Sequence, residues 1–516
     1  MDEKGKNEKN SVSNIPRREF IGKVGLAGAT AYGLTGFTGS QAMGKSKNVR
    51  ISKNAIQQRI AFDVWPNDTR NEPVTDAWPS MVFDEKTKDG IRRALDVQAE
   101  AGYNIVDLAG IMGGHSWPMD IISATSKDKD AFFSDFVKLC HQRDMQFIFA
   151  VGIYSWGFDE IIKNDPEVSG PNPQHPNPHA LCASREKSWE WQKKVIDFLM
   201  QYEADGYHLE SGDLHICSCE DCLKIAHVAY PPEVEPGREG WIGLVDYHCR
   251  INKRSAQYIR SKKPDALLVS VMGNWADAIN VYDFTQKDVA DMADLVEHID
   301  CLYDQGHNQP YVRPQFRPGV IKKLGGKYGT SGGTRVYPPQ NTARDQWFLP
   351  YTMRTGTSIK KLHAMGGNGV MYYQGPVINP GVEANIDFGG RLMCNVDRDL
   401  NDVLSESLEH LYKPKKVASL KKLVSSFRRT EDGFYDAWPG ETKSNPRRPA
   451  EIYIAAAFND KRFFDDKSRG TYRAVLIAVQ KDLGEIENDF TDDGRIVRIQ
   501  TCIGNVIKQI ETIGYV

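Results

Sequence analysis

Beyond residue 44 the chain lacks any run of about 18 apolar residues, which excludes a membrane-spanning helix from that part of it. It also lacks an excess of either charge. Lys and Arg number 65 against 68 Asp and Glu, for a net −3. With no basic field to meet phosphates, nucleic acid is excluded as a partner. Cysteine is sparse, nine in 516 residues, and an odd count leaves at least one thiol unpaired or bound to something else. No spaced His/carboxylate set accompanies the cysteines, so a catalytic metal is not expected and the chemistry requires no cofactor. Internal repeats and low-complexity segments are absent after the N-terminal stretch.

The N-terminus carries an address. Pro16-Arg17-Arg18-Glu19-Phe20-Ile21-Gly22-Lys23 precedes a mildly apolar Gly/Ala-rich run to about Gly39. The fixed order of the arginine pair, Phe and Lys resembles a bacterial twin-arginine signal, which is excluded from fold reasoning. The expected organisation is a signal peptide over 1–44, a linker over 45–56, a barrel over 57–394 and a helical region over 395–516. The mature protein is then periplasmic or secreted, where disulfides are permitted.

From residue 57 short apolar strands alternate with amphipathic helices. Strands are expected at Arg59–Asp63, Asn104–Leu108, Gln146–Val151, Tyr207–Leu209, Ala266–Val271, within Leu295–Tyr303, at Gly333–Tyr337 and at Gly369–Tyr373. Eight strand–helix units are the count of a (β/α)8 TIM barrel, and such barrels are large enough to fill most of 57–394. Helices at Asp397–Leu411, Lys416–Phe427, Glu451–Phe458, Arg469–Glu487 and Arg495–Ile513 form the C-terminal extension. Polar and aromatic residues gather just after the strands. They are Trp65, His115, Trp117, Tyr154, Trp156, Glu210, Asp213, Asn274, Trp275, Asp304, His307 and Gln374. In this fold the active site is built at that end of the strands.

The stretch Gly206 to Cys222, G-Y-H-L-E-S-G-D-L-H-I-C-S-C-E-D-C, is the most informative. Strand alternation puts Gly206, His208 and Glu210 on one face, with His208 one layer below Glu210. Asp213 lies in the following loop. Two nearby carboxylates push their pKa values apart, and glycoside cleavage needs such a pair: one acid protonates the leaving oxygen, the other stabilises or attacks the sugar centre. Asp304 is the candidate partner from across the barrel. Trp65, Trp117, Trp156 and Trp275 offer flat faces for pyranose C–H surfaces. Arg335, His115, His215 and His307 suit a substrate carboxylate or sulfate. For each of these residues ordinary packing or solvation competes with the functional reading.

Cys217-x-Cys219-x-x-Cys222 is a specific cluster, and Cys182 supplies a fourth sulfur. Four thiolates make a closed structural zinc site, whereas an exported protein equally permits one or two disulfides. Either would steady the loop after Glu210.

Leu181-Cys182-Ala183-Ser184-Arg185-Glu186, the acid-bearing strand and Cys-x-Cys-x-x-Cys together resemble uncharacterised bacterial barrel proteins related to α-glucuronidases and β-N-acetylhexosaminidases. Asp397 to Leu404 and Glu409-His410-Leu411-Tyr412 resemble their post-barrel helices. The resemblance implies a barrel and a carbohydrate substrate. Such hexosaminidases carry adjacent Asp-Glu on the fourth strand; here Ser211-Gly212 separate Glu210 from Asp213. The reading is an exo-glycosidase on acidic, uronate-containing oligosaccharides. A uronate lyase or dehydratase is the alternative, with His208, His215 or Tyr303 as the proton-transfer group. A non-catalytic glycan-binding protein is the second.

Overall fold

The computed structural model describes residues 49–63, 85–108, 116–155, 157–170, 180–211, 217, 219–225, 240–271, 287–301, 328–333, 348–350, 352–364, 366–374, 380–437, 465–491 and 493–513. Eight parallel strands pair in chain order and close on themselves: β1 Gln58–Asp63, β2 Ile105–Leu108, β3 Gln146–Gly152, β4 Gly206–Glu210, β5 Leu267–Val271, β6 His298–Cys301, β7 Tyr328–Gly333 and β8 Gly369–Gln374. The intervening helices are α1 Glu85–Ala101, α2 Lys127–His141, the short α3 Asp159–Asn164, α4 Glu186–Met200, the short α5 Glu220–Ile225, α6 Gly240–Lys262, α7 Lys287–Leu295 and α8 Thr352–Ala364. The segment between β6 and β7, residues 302–327, lies outside the described residues. The described architecture is TIM-barrel-like.

Register decides which side chains face inward. Ala150 pairs with His208 and His208 with Val269, while Gly152 pairs with Glu210 and Glu210 with Val271. These residues share one face of the sheet. The alternate residues face the helices: Phe147 meets Phe136 and Phe149 meets Phe133, both partners on α2. Burial of this aromatic layer sets the inside and outside of the barrel. The interior therefore receives Glu210 and His208 from β4.

Seven strands fall where the apolar runs predict them, within a residue or two. Of the seventh, expected at Gly333–Tyr337, residues 334–337 lie outside the described residues; the described strand, β7, is Tyr328–Gly333, sequence YGTSGG. That strand has no apolar period. Its pairing with β6 and β8, rather than a side-chain pattern, places it in the ring. Between β6 and β8 space is short: a methyl on Gly369 would lie 2.2 Å from the His298 ring.

After β8 the chain runs through α9 Pro380–Cys394, α10 Leu400–Tyr412, α11 Val417–Ala437, α12 Asp466–Gly484 and α13 Asp493–Ile513. The expected helix at Glu451–Phe458 lies outside the described residues. All 15 residues of α9 are buried, because the helix packs against α1, α8, α10, α13 and β8. Its charges are matched across those contacts. Glu383 lies 3.1 Å from Arg93 and 3.2 Å from Arg495. Asp387 pairs with Arg391 and takes His410 Nδ1 at 3.0 Å. On α11, Glu431 caps the start of α8: its carboxylate accepts from the Thr352 hydroxyl at 3.0 Å and from the backbone N–H groups of Met353 and Arg354 at 3.1 and 3.0 Å. No helix among the described residues is long and apolar enough to cross a membrane.

The His410 pairing has a pH consequence. Hydrogen bonds to Asp387 and then Glu100 raise its pKa from 6.5 to about 9. A raised folded-state pKa means the imidazolium is favoured by folding. Its contribution is fully present below the unfolded value and is lost as pH rises through about 9. The Tm difference between the wild type and His410→Gln is expected to be largest near neutrality and below, and to close between the two values. A difference independent of pH contradicts this pairing.

Candidate active site

The site is built from the C-terminal end of β4. Glu210 is the last residue of that strand and is 8% exposed. Its backbone carbonyl accepts from the Ile153 N–H at 2.9 Å and from the Ser155 hydroxyl at 2.8 Å. The loop leaving β3 thus clamps the end of β4. Within that loop Tyr154 has φ +55°, a conformation costing of order 1 kcal/mol or more in a bulky residue. Surrounding contacts hold it there. The Tyr154 N–H donates to Gln192 Oε1 at 2.9 Å, its carbonyl accepts from the Leu181 N–H at 3.0 Å, and its ring stacks on Trp189.

One layer below Glu210 lies a buried histidine–carboxylate pair. His208 Nδ1 of β4 is 2.7 Å from Asp107 Oδ2 of β2, and both side chains are fully buried. A lone carboxylate inside a barrel would be costly, and the pairing offsets that cost. Asp107 thereby fixes the orientation of His208, and the pair presents a polar floor beneath Glu210. His298 of β6 is likewise wholly buried.

Beside the mouth stands the cysteine cluster. Cys182 follows the β3 loop; its N–H donates to the Val168 carbonyl at 2.8 Å. Cys217, Cys219 and Cys222 follow β4. The four sulfurs lie within 4.8 Å of one another, with Cys182 Sγ at 3.7 Å from Cys219 Sγ and 3.6 Å from Cys222 Sγ. All four are thiols rather than disulfides. Contacts with Cys217 and then Cys222 pull the Cys182 thiol well below the usual thiol range. The contact with Cys182 pushes Cys217 up, and pushes Cys222 up to about 12.

The sequence-predicted residues divide as follows. Glu210 and His208 are brought together on the inner face, and Gln374 ends β8 level with Asp63 of β1. Trp117 and Tyr154 are corrected. The Trp117 ring is 6% exposed and packs edge-on against Phe198, while Tyr154 is 2% exposed against Trp189. Both fold back into the helix layer, so neither offers a face to a sugar. Trp65, His115, Trp156, Asp213, His215, Asn274, Trp275, Tyr303, Asp304, His307 and Arg335 lie outside the described residues. The Asp107–His208 pair was not foreseen as a pair. Its signal was a charged residue at the inward parity of the strand I-V-D-L, two strands from an inward histidine.

No protein-family model matches the chain, and no curated protein matches it in sequence. Among the solved structures that the chain is similar to are two glycoside hydrolases. One is a GH138 enzyme targeting pectin rhamnogalacturonan II, at 11% identity and TM-score 0.51, covering 87% of this chain and 56% of that one. The chain thus spans about half the length of that enzyme. Another is the alpha-L-fucosidase isoenzyme 2 from Paenibacillus thiaminolyticus, at 14% identity and TM-score 0.38, covering 66% and 49% of the two chains. The likeness to the GH138 enzyme is one of fold.

Proposed function

We propose that this chain is an exported exo-glycosidase acting on acidic, uronate-containing oligosaccharides. The observation that carries the reading is Glu210: a carboxylic acid ending β4 on the inner face, over the buried Asp107–His208 pair. Catalytic residues of this barrel type come from such strand ends. In the proposed reaction Glu210 protonates the leaving glycosidic oxygen as the bond to the anomeric carbon breaks, and a second carboxylate stabilises or attacks that carbon. Asp213 and Asp304 are the proposed second acids. Asp300 joins them on register, since Glu210 pairs with Val271 and Val271 with Asp300. His208 orients the acid from below. The barrel is taken as a complete (β/α)8 unit, in keeping with the closed order of its strands. Aromatic residues after β1, β3 and β5, among them Trp65, Trp156 and Trp275, are proposed to stack on sugar, with His115, His215, Asn274, Tyr303, His307, Arg335 and Gln374 as polar contacts. Export rests on the Arg17-Arg18 motif.

Incubation with uronate-rich oligosaccharides tests the reading, with products read by mass and near-ultraviolet absorbance. Hydrolysis is expected to release a saccharide, with the products together one water heavier than the substrate and no new chromophore. An unsaturated, absorbing product would replace the proposal with a lyase. Binding without turnover across the panel would replace it with a glycan-binding protein.

A further inference from the structure

The geometry of the cysteine cluster points to a structural zinc ion held by Cys182, Cys217, Cys219 and Cys222, tying the loop after β3 to the loop after β4. Tetrahedral zinc with Zn–S bonds of about 2.3 Å puts its sulfurs about 3.8 Å apart. Cys182 Sγ lies 3.6 Å from Cys222 Sγ and 3.7 Å from Cys219 Sγ, and all four sulfurs fall within 4.8 Å. A disulfide requires about 2.05 Å, well short of either separation. Four sulfurs gathered at this spacing match the ligand set of a tetrahedral tetrathiolate site.

The surroundings favour sulfur that carries charge. The Cys219 N–H donates to Cys217 Sγ at 3.4 Å and the Cys222 N–H to Cys219 Sγ at 3.5 Å. Ser184 Oγ lies 3.1 Å from Cys182 Sγ and 3.4 Å from Cys219 Sγ. Donors aimed at ligand sulfurs are the outer shell that tunes a thiolate site. Space is closed as well. A methyl on Gly170 would lie 2.1 Å from Cys217 Sγ, so the backbone passes directly against the cluster and only glycine fits.

Binding would convert four thiols and Zn2+ into one tetrathiolate complex of charge −2, releasing four protons to solvent. No coordination position is left for water, so the ion takes no part in bond cleavage. Its work is mechanical. Cys182 is anchored through Leu181 to the Tyr154 loop, and that loop clamps the Glu210 carbonyl. The ion therefore joins the two segments that fix the end of β4. The inference stands on the sulfurs alone and does not require that the enzyme be a glycosidase.

The test uses the full chain purified without chelator. Elemental analysis is expected to give one zinc per chain, released by a mercurial thiol reagent. Exchange with Co2+ is expected to give the strong visible bands of tetrahedral cobalt–thiolate. Alkylation after denaturation in chelator, with no reductant, is expected to label all four cysteines. Gly170→Ala, which removes no ligand, is expected to weaken zinc binding by about 10- to 100-fold. Disulfide-linked peptides among the four cysteines, absence of zinc with no cobalt spectrum, or full zinc retention in Cys182→Ser would each overturn the assignment. The cobalt spectrum and the peptide map need only wild-type protein, so a variant that fails to fold does not blunt the test.

Discussion

Glu210→Gln is expected to lower kcat by about 100- to 10,000-fold, the range for loss of a positioned general acid. Gln keeps the size and shape of the side chain but has no carboxyl proton to deliver. The contacts that pin this point of the chain, from Ile153 and Ser155, go to the backbone carbonyl and survive the substitution. The folded structure is therefore expected to melt as the wild type does, with KM little changed. The role can be separated from simple damage by the leaving group. A substrate whose departing alcohol is strongly acidic needs no protonation, and the variant is expected to recover most of its rate on it. Turnover at the wild-type rate on natural oligosaccharides would remove Glu210 from the acid's role.

Glu431→Ala is expected to destabilise the protein by about 3–5 kcal/mol, measured by urea denaturation. Glu431 is wholly buried and serves one helix from another. Its two carboxylate oxygens satisfy the Thr352 hydroxyl and the N–H groups of Met353 and Arg354, donors that the first turn of a helix cannot satisfy itself. Arg354 also reaches it at 3.3 Å. Truncation strands those donors without water. Burial pushes the carboxyl pKa up, against the pull of Arg354 and the N–H groups. Glu431→Gln keeps an acceptor and removes the buried charge, so it is expected to cost less than the alanine. A loss under about 1 kcal/mol for the alanine would show that α11 does not cap α8 in solution.

What the sequence discloses follows from what leaves a period in it. The strands packed on helices by Phe147, Phe149 or Leu268 read as apolar runs because their outer faces are dry. β7 left no such run: YGTSGG is held by backbone pairing. Helix α9 is invisible for the opposite reason. Buried on every side, it has no polar face to set off an apolar stripe. At the site, Glu210 and His208 were legible because alternation along one strand is local. Their floor was not, because Asp107 is far from His208 in the chain and reaches it past an intervening strand. Loop aromatics misled for a similar reason. Trp117 and Tyr154 follow strand ends in the chain, yet Phe198 and Trp189 on α4 draw them away from the mouth. The cysteine spacing announced a cluster, but distances between sulfurs were needed to weigh zinc against disulfides.

The central claim is that water splits a glycosidic bond at the mouth of the barrel with Glu210 as the acid. The most direct measurement is turnover of a uronate-containing oligosaccharide in water enriched in heavy oxygen, read by mass spectrometry. One solvent oxygen in the newly formed reducing sugar, present with the wild type and lost with Glu210→Gln, is the predicted result. Cleavage without solvent oxygen, or incorporation undiminished in the variant, would contradict it.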